Sequence, residues 1–222
     1  MAFLPITKEE MTARGWDAPD IVLVTGAAYV DHPSFGTAIV SRVLEAEGFR
    51  VCILSQPQND EDFKRFGTPK LAFFVNSGNI DSMVAHYTAA KRKRSDDYYT
   101  AGGVAGKRPD RAVTVYSKTI RRLFGDIPVC IGGLEASLRR FAHYDYWDDS
   151  VRPSVLIDST ADLLMFGMGE RQIKEIAHRL ADGEHISMMR DIRGTAYAIP
   201  TDEYAYIPDS VECPPFEEVK SK

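Results

Sequence analysis

The residues that could hold a ligand sit in four short stretches, each containing glycine. The first, TGAAYVDHPSFG (Thr25 to Gly36), carries Asp31, His32 and Ser34 ahead of Gly36. The others are NSGNID, with Asn76 and Gly78; GGLEAS, with Gly132, Gly133 and Glu135; and FGMGE, with Gly167, Gly169 and Glu170. An imidazole such as that of His32 can ligate a metal or cofactor, or can hydrogen-bond within its loop. Glycine lets a backbone approach a bound molecule closely, and strand-to-helix turns also use it for conformation alone. Apart from His32, the residues named here form the candidate cofactor-binding set, and no catalytic or metal-ligating residue is assigned.

Other chemistries find less support. There is no Walker motif, and the Gly167 to Gly169 GMG lacks the third glycine of a dinucleotide fingerprint and follows a late strand. Cys52, Cys130 and Cys213 are widely spaced, with no C-x-x-C pair and no zinc-like spacing. Cys52 and Cys130 fall in apolar runs, where cysteine is usually a buried small hydrophobe. The stretch GGLEASLRRFAHYDYWDD (Gly132 to Asp149) combines Arg139, Arg140, His143 and Tyr144 at helical spacing with Tyr146 and Trp147. That composition suits either a docking surface or a solvated arginine face with its aromatics tucked inward. Glu135 and Ser137 suit the start of that helix. Lys91 to Arg94, with Lys107, Arg108 and Arg111, could contact phosphates, and Tyr98 and Tyr99 could stack on bases; an RNA-interaction module is therefore an alternative. Acidic neighbours dilute this charge, and Lys91 to Arg111 reads as an exposed loop.

These residues must be positioned by alternating strands and helices. Apolar runs occur at Ile21 to Thr25, Arg50 to Leu54, Leu71 to Val75, Ile127 to Gly133 and Ala161 to Glu170. Helical periods lie between and after them. Phe35, Ile39, Val40, Val43 and Leu44 form one, Met83, Val84 and Tyr87 another. Tyr116, Ile120, Leu123 and Phe124 form a third, and Ile173, Ile176, Ala177 and Leu180 a fourth. Few charges on the strands imply burial on both faces, so the expected fold is α/β. It is a doubly wound, flavodoxin-like or cobalamin-binding-like parallel sheet of about five strands with flanking helices. In such a sheet ligands bind outside the carboxyl ends of the strands, where all four glycine stretches should converge. A stand-alone cobalamin- or nucleotide-binding module is one reading of that convergence.

The chain has 222 residues, 44% of them hydrophobic, and a net charge of -5. No basic field draws it globally to nucleic acid. No apolar run approaches a bilayer span of about 20 residues, and the N-terminus is not a signal peptide, so no membrane partner is expected and the cytoplasm is the default location. Residues 1–20 read as an N-terminal extension and 21–185 as the main domain. Residues 186–222 hold an extra strand, DIRGTAYAIP, and a proline-bearing linker.

AYVDHPSFGTAIVSRVLEAEGFRV, LAFFVNSGNIDSMVAHYT, KRKRSDDYY, GGLEASLRRFAHYDYW and ADLLMFGMGERQI together resemble the N-terminal region of YgiQ-type radical SAM proteins. The resemblance runs through nearly the whole chain. It implies a cobalamin-binding-type Rossmann domain placed before a radical SAM barrel, in cis or as a separate chain. That barrel would bind a [4Fe-4S] cluster and S-adenosylmethionine through C-x-x-x-C-x-x-C. This chain has no such triplet, so the resemblance implies an amino-terminal fragment or half, inactive alone, of an enzyme of unknown substrate. Histidine-ligated cobalamin proteins use Asp-x-His-x-x-Gly. Set on Asp31 and Gly36, that pattern puts Pro33 in the histidine slot, so any cobalamin would bind without a histidine ligand and His32 is expected to be a hydrogen-bonding loop residue.

Overall fold

A computed structural model describes residues 2–204 and 207–221. The apolar runs become β1 (Ile21–Thr25), β2 (Val51–Ser55), β3 (Ala72–Asn76), β4 (Val129–Ile131) and β7 (Leu163–Met165). Two strands, β5 (His143–Asp145) and β6 (Ser150–Arg152), form a separate antiparallel hairpin, and β8 (Thr195–Tyr197) ends the series. The helices are α1 (Lys8–Ala13), α2 (Gly36–Ala46), α3 (Asp60–Lys64), α4 (Ser82–His86), α5 (Ala112–Phe124), α6 (Gly133–Leu138), α7 (Val155–Ser159), α8 (Glu170–Ala181) and α9 (Phe216–Ser221).

The main sheet has six strands in the order β2-β1-β3-β4-β7-β8. The first five are parallel and β8 runs antiparallel to β7, with Leu163 opposite Tyr197. The sheet thus has one strand more than the five apolar runs, because TAY in the C-terminal segment pairs along its edge. Strand order reverses between β1 and β3, where β1 leads outward to β2 and β3 leads the other way to β4. This is the topological switch point of a doubly wound sheet.

Alternate strand residues supply the two faces. Val22, Val24, Cys52, Leu54, Phe73, Val75 and Ile131 pack with Met11, Phe63, Tyr116 and Ile120 from α1, α3 and α5. Ile21, Leu23, Val51, Phe74, Cys130 and Leu163 pack with Leu44, Ile173 and Ile176 from α2 and α8. A fully buried side chain of this size stabilises the fold by about 1.5–3 kcal/mol, so these two layers dominate its energetics.

Three expectations are corrected. The helical spacing of Arg139, Arg140, His143 and Tyr144 is not used: α6 stops at Leu138, because the half-buried Arg139 guanidinium pairs with the buried Asp81 carboxylate. Its continuation is the β5–β6 hairpin, in which Arg111 donates to Asp145 at 2.8 Å. Burial pushes Asp145 upward, but the bonds and charge of Arg111 outweigh it and hold the carboxyl below its ordinary range. Ser137 does not cap α6; its Oγ accepts from the Gly167 N–H at 3.4 Å. The Lys91 to Arg111 segment is not exposed throughout: Lys91 to Asp96, Tyr98 and Val104 are exposed, but Asp97, Thr100 and Arg108 are buried. Further on, Asp97 and Arg108 form a fork-on-fork pair with bonds of 2.8 and 2.9 Å, their side chains 1% and 0% exposed. The remaining arm of Arg108 donates to the Ser77 carbonyl at 2.9 Å, which staples the insertion over the end of β3.

Candidate functional site at the carboxyl edge of the sheet

A cleft of about 200 Å³ opens at the carboxyl ends of the strands. Leu23, Phe74, Val75, Asn76 and Met165 form its floor, and the starts of α2, α6 and α8 form its walls. The expected residues Gly36, Asn76, Gly78, Gly132, Gly133, Gly167, Gly169 and Glu170 all line it. Thr37, Ile39, Val40, Met168 and Ile173 line it too. The apolar members of this second group were read only as helix and strand core; their positions next to the glycine turns were the available signal.

The glycines do two different jobs. Gly78 has φ +97°, and a Cβ there would lie 2.6 Å from the Ala27 Cβ, so it lets two loops close on each other. At Gly36 and Gly169 a Cβ would meet nothing within 4 Å. Their hydrogens border open space that a side chain would fill.

Hydrogen bonds fix the polar floor. In the parallel register Thr25 stands beside Asn76. The Thr25 hydroxyl donates to Asn76 Oδ1 at 2.8 Å, and the Gly78 N–H donates to the same oxygen at 2.8 Å. The Thr37 hydroxyl lies 3.2 Å from the Thr25 Oγ1 and 3.4 Å from Asn76 Oδ1, giving its proton to the pair.

The helix starts also divide into two groups. Thr7, Asn59, Asp81 and Ser154 cap α1, α3, α4 and α7 through their side chains. The first N–H groups of α5 are held by Ser82 Oγ and Glu135. By contrast α2, α6 and α8, the three that face the cleft, have no side-chain cap.

The other expected residues lie outside the lining. Asp31 grips Arg42, which also reaches Glu45 at 2.5 Å, and the Arg42 hydrogen bond is the main cause that holds the Asp31 carboxyl low. The Ser34 carbonyl accepts from Asn79 Nδ2 at 3.3 Å, and the Ser34 N–H donates to His32 Nδ1 at 3.1 Å. His32 borders a separate exposed hollow with Asp31, Pro33 and Arg42. Glu135, 1% exposed, accepts from the Ser82 N–H at 2.9 Å and the Val113 N–H at 3.0 Å, joining the starts of α4 and α5. In the basic stretch Lys91 donates to the Trp147 carbonyl and lies 4.7 Å from the Tyr146 ring, while Arg94 donates to the carbonyls of Val84 and Tyr87.

The cysteines do not suit an iron–sulfur cluster. Cys52 on β2 and Cys130 on β4 belong to opposite faces of the sheet, with β1 and β3 between their strands. Three strand spacings of about 4.8 Å separate them. Burial pushes the Cys52 thiol up to about 12 and raises Cys130 as well, so both are poor thiolates. Iodoacetamide is accordingly expected to alkylate Cys213 alone in the native chain and all three thiols after denaturation, as read by intact mass.

A family model described as Radical SAM N-terminal matches residues 3–222. A UPF0313 protein of Clostridium botulinum (strain Okra / Type B1) is 58% identical over all of this chain and 34% of its own length. UPF0313 protein YgiQ of Escherichia coli (strain K12) is 60% identical over 89% of this chain and 27% of its own length. The chain therefore spans about a third or less of the curated relatives it matches. Among solved structures, TsrM from Kitasatospora setae, a radical S-adenosylmethionine methyltransferase, aligns with 80% of this chain and 28% of its own. The TM-score is 0.53 at 20% identity, a likeness of fold. A second TsrM structure, with cobalamin and a [4Fe-4S] cluster bound, aligns over 81% of this chain and 27% of its own, with TM-score 0.53 at 18% identity. With nearly its whole length matched by the family and aligned to UPF0313 relatives, this chain belongs to the Radical SAM N-terminal family, in the YgiQ-type branch.

Proposed function

We propose that this chain is the cofactor-holding N-terminal module of a radical SAM enzyme, and that its carboxyl-edge cleft receives part of a cobalamin without a histidine ligand. The observation that carries the reading is the glycine-bordered cleft at the β1/β3 switch point, the place where doubly wound sheets bind ligands. The cobalamin-bound TsrM structure of similar fold supports it. A volume of about 200 Å³ is smaller than the roughly 300–1,000 Å³ of pockets that enclose a whole drug-sized ligand, so the cleft takes one bicyclic portion and leaves the rest outside.

The cofactor, when bound, supplies the alkyl- or radical-transfer chemistry. The residues of this chain do the holding. Leu23, Phe74, Ile39 and Ile173 exclude water, and the open edges at Gly36 and Gly169 admit a flat group. The cysteines do not fit a cluster, so the iron–sulfur and S-adenosylmethionine steps belong to the longer relatives' remaining length, and the chain alone is inactive. Its substrate is that of the full-length enzyme. Its three free cysteines suit a reducing compartment such as the cytoplasm.

The test is retention of cobalamin. Purified chain mixed with hydroxocobalamin should carry its visible absorbance through gel filtration. Gly36→Leu and Gly169→Leu, which fill the open edges without backbone strain, should each abolish retention and leave thermal unfolding within a few degrees of the parent. No retention by the parent chain at high micromolar cobalamin would sink the proposal.

A further inference from the structure

We infer that the basic turn from Lys91 to Arg94, with Tyr98 and Tyr146, forms a binding surface for single-stranded nucleic acid, its cations meeting phosphates and its tyrosine rings meeting bases. The surface lies outside the cleft lining and does not depend on what the cleft holds.

The acids that dilute this stretch in the sequence do not neutralise it in the fold. Asp97 is turned inward onto Arg108. Asp110 accepts from the Tyr87 hydroxyl at 2.8 Å and from the His86 ring at 2.5 Å. Of the three, Asp96 stays exposed, and its carboxylate accepts from the Ser95 hydroxyl at 3.2 Å. Lys91, Arg92, Lys93 and Arg94 are all exposed, and among the described residues none of them pairs with a carboxylate. Elsewhere Arg42, Arg50, Arg121, Arg152 and Arg179 each meet at least one. In a chain of net charge -5, four consecutive cations without anions are a local exception.

Like charges repel, yet the fold holds these together. The Lys91 N–H donates to the Thr88 carbonyl at 2.9 Å, the Thr88 N–H to the Arg92 carbonyl at 2.9 Å, and the Arg94 N–H to the His86 carbonyl at 2.7 Å. From the neighbouring hairpin, the Tyr146 hydroxyl donates to the Ala89 carbonyl at 2.8 Å. Its ring lies under the Lys91 ammonium. Lys91 itself has φ +57°, a conformation that glycine adopts with less strain. A cation is thus kept where the backbone favours glycine, in a turn already ordered for binding.

The aromatic neighbours choose among polyanions. Tyr98 is 90% exposed and Tyr146 44%. Ring faces left in water beside cations suit bases that stack on them. A duplex hides its base faces, so the partner is single-stranded. A membrane surface would ask for large apolar side chains that insert, and the tip of this turn carries Ala89 and Ala90.

Fluorescence anisotropy with a short labelled single-stranded RNA and its DNA counterpart tests this. Between about 50 and 200 mM KCl the log of the affinity should fall against log salt with a slope of roughly -2 to -3, as three or four phosphate contacts require. Arg92→Gln with Lys93→Gln, two side chains without internal bonds, should flatten that slope by about 1.4. Lys91→Gly should flatten it by about 0.7 while the thermal midpoint holds. Tyr98→Ala should weaken binding roughly fivefold or more and leave the slope unchanged. A preference for RNA or DNA supports the inference and names the sugar, and equal affinity supports it through phosphate and base alone. No binding of either strand at the lower salt, or an affinity unmoved by Arg92→Gln with Lys93→Gln, would overturn it. So would heparin or anionic vesicles binding as tightly as the strands while Tyr98→Ala changes nothing.

Discussion

Arg108→Ala is expected to lower stability by about 3–5 kcal/mol, because it leaves the Asp97 carboxylate buried without its partner. Against a total of roughly 5–15 kcal/mol for a domain, this is a large fraction. Four bonds are lost together: two to Asp97 and one each to the carbonyls of Ser77 and Ile80. The segment that carries Thr100 then loses its anchor, and Thr100 Oγ1 is the acceptor for Gln56 Nε2 beside β2. Urea unfolding should show a lower midpoint. The double replacement Arg108→Met with Asp97→Leu should recover most of the loss, since a pair of matched apolar groups escapes the penalty of one orphaned charge. If the single variant unfolds at the parent's midpoint, the pair contributes little and the insertion is held by other contacts.

Glu135→Ala is expected to cost about 2–4 kcal/mol by a different route. It strips the acceptors from two buried N–H groups, Ser82 at the start of α4 and Val113 at the start of α5. Glu135→Gln should recover part of this, because one carboxamide oxygen can still accept while its NH₂ opposes the second donor. Amide hydrogen exchange should accelerate at Ser82 and Val113 in both variants and stay unchanged in the body of α8, whose buried residues pack on the other face of the sheet from α5. Uniform acceleration across the sheet would show that Glu135 supports the whole core and not two helix starts.

The parallel sheet was legible because its determinants are local. Ile21 to Thr25 and Leu71 to Val75 are apolar runs too short and too rich in branched and aromatic residues to be helices, and each is followed by a turn. The convergence of the glycine stretches then follows from topology, and the cleft lining at Gly36, Asn76, Gly132 and Gly169 is its result. What the sequence hides is pairing between charges far apart along the chain. Arg139 fits a continuing helix by spacing, yet Asp81, 58 positions away, takes its guanidinium and ends α6. Glu135 has the local signature of a helix-start acid facing a ligand, but its donors come from two other helices. Arg108 sits in the most polar segment of the chain, and only its partner Asp97 makes its burial possible. The second group of lining residues, such as Val40 and Ile173, is marked only by nearness to the glycine turns, since side-chain type does not separate a cleft wall from ordinary core.

The unequal capping of the helices also bears on how such a protein can change. Where α1, α3, α4, α5 and α7 begin, the fold satisfies its own helix ends, each cap adding about 1 kcal/mol. Around the cleft that self-sufficiency is absent at α2, α6 and α8. Folding and recognition therefore draw on separate residues, and substitutions at the rim can alter what is recognised without unravelling the scaffold. Two such domains with the same core could serve quite different guests.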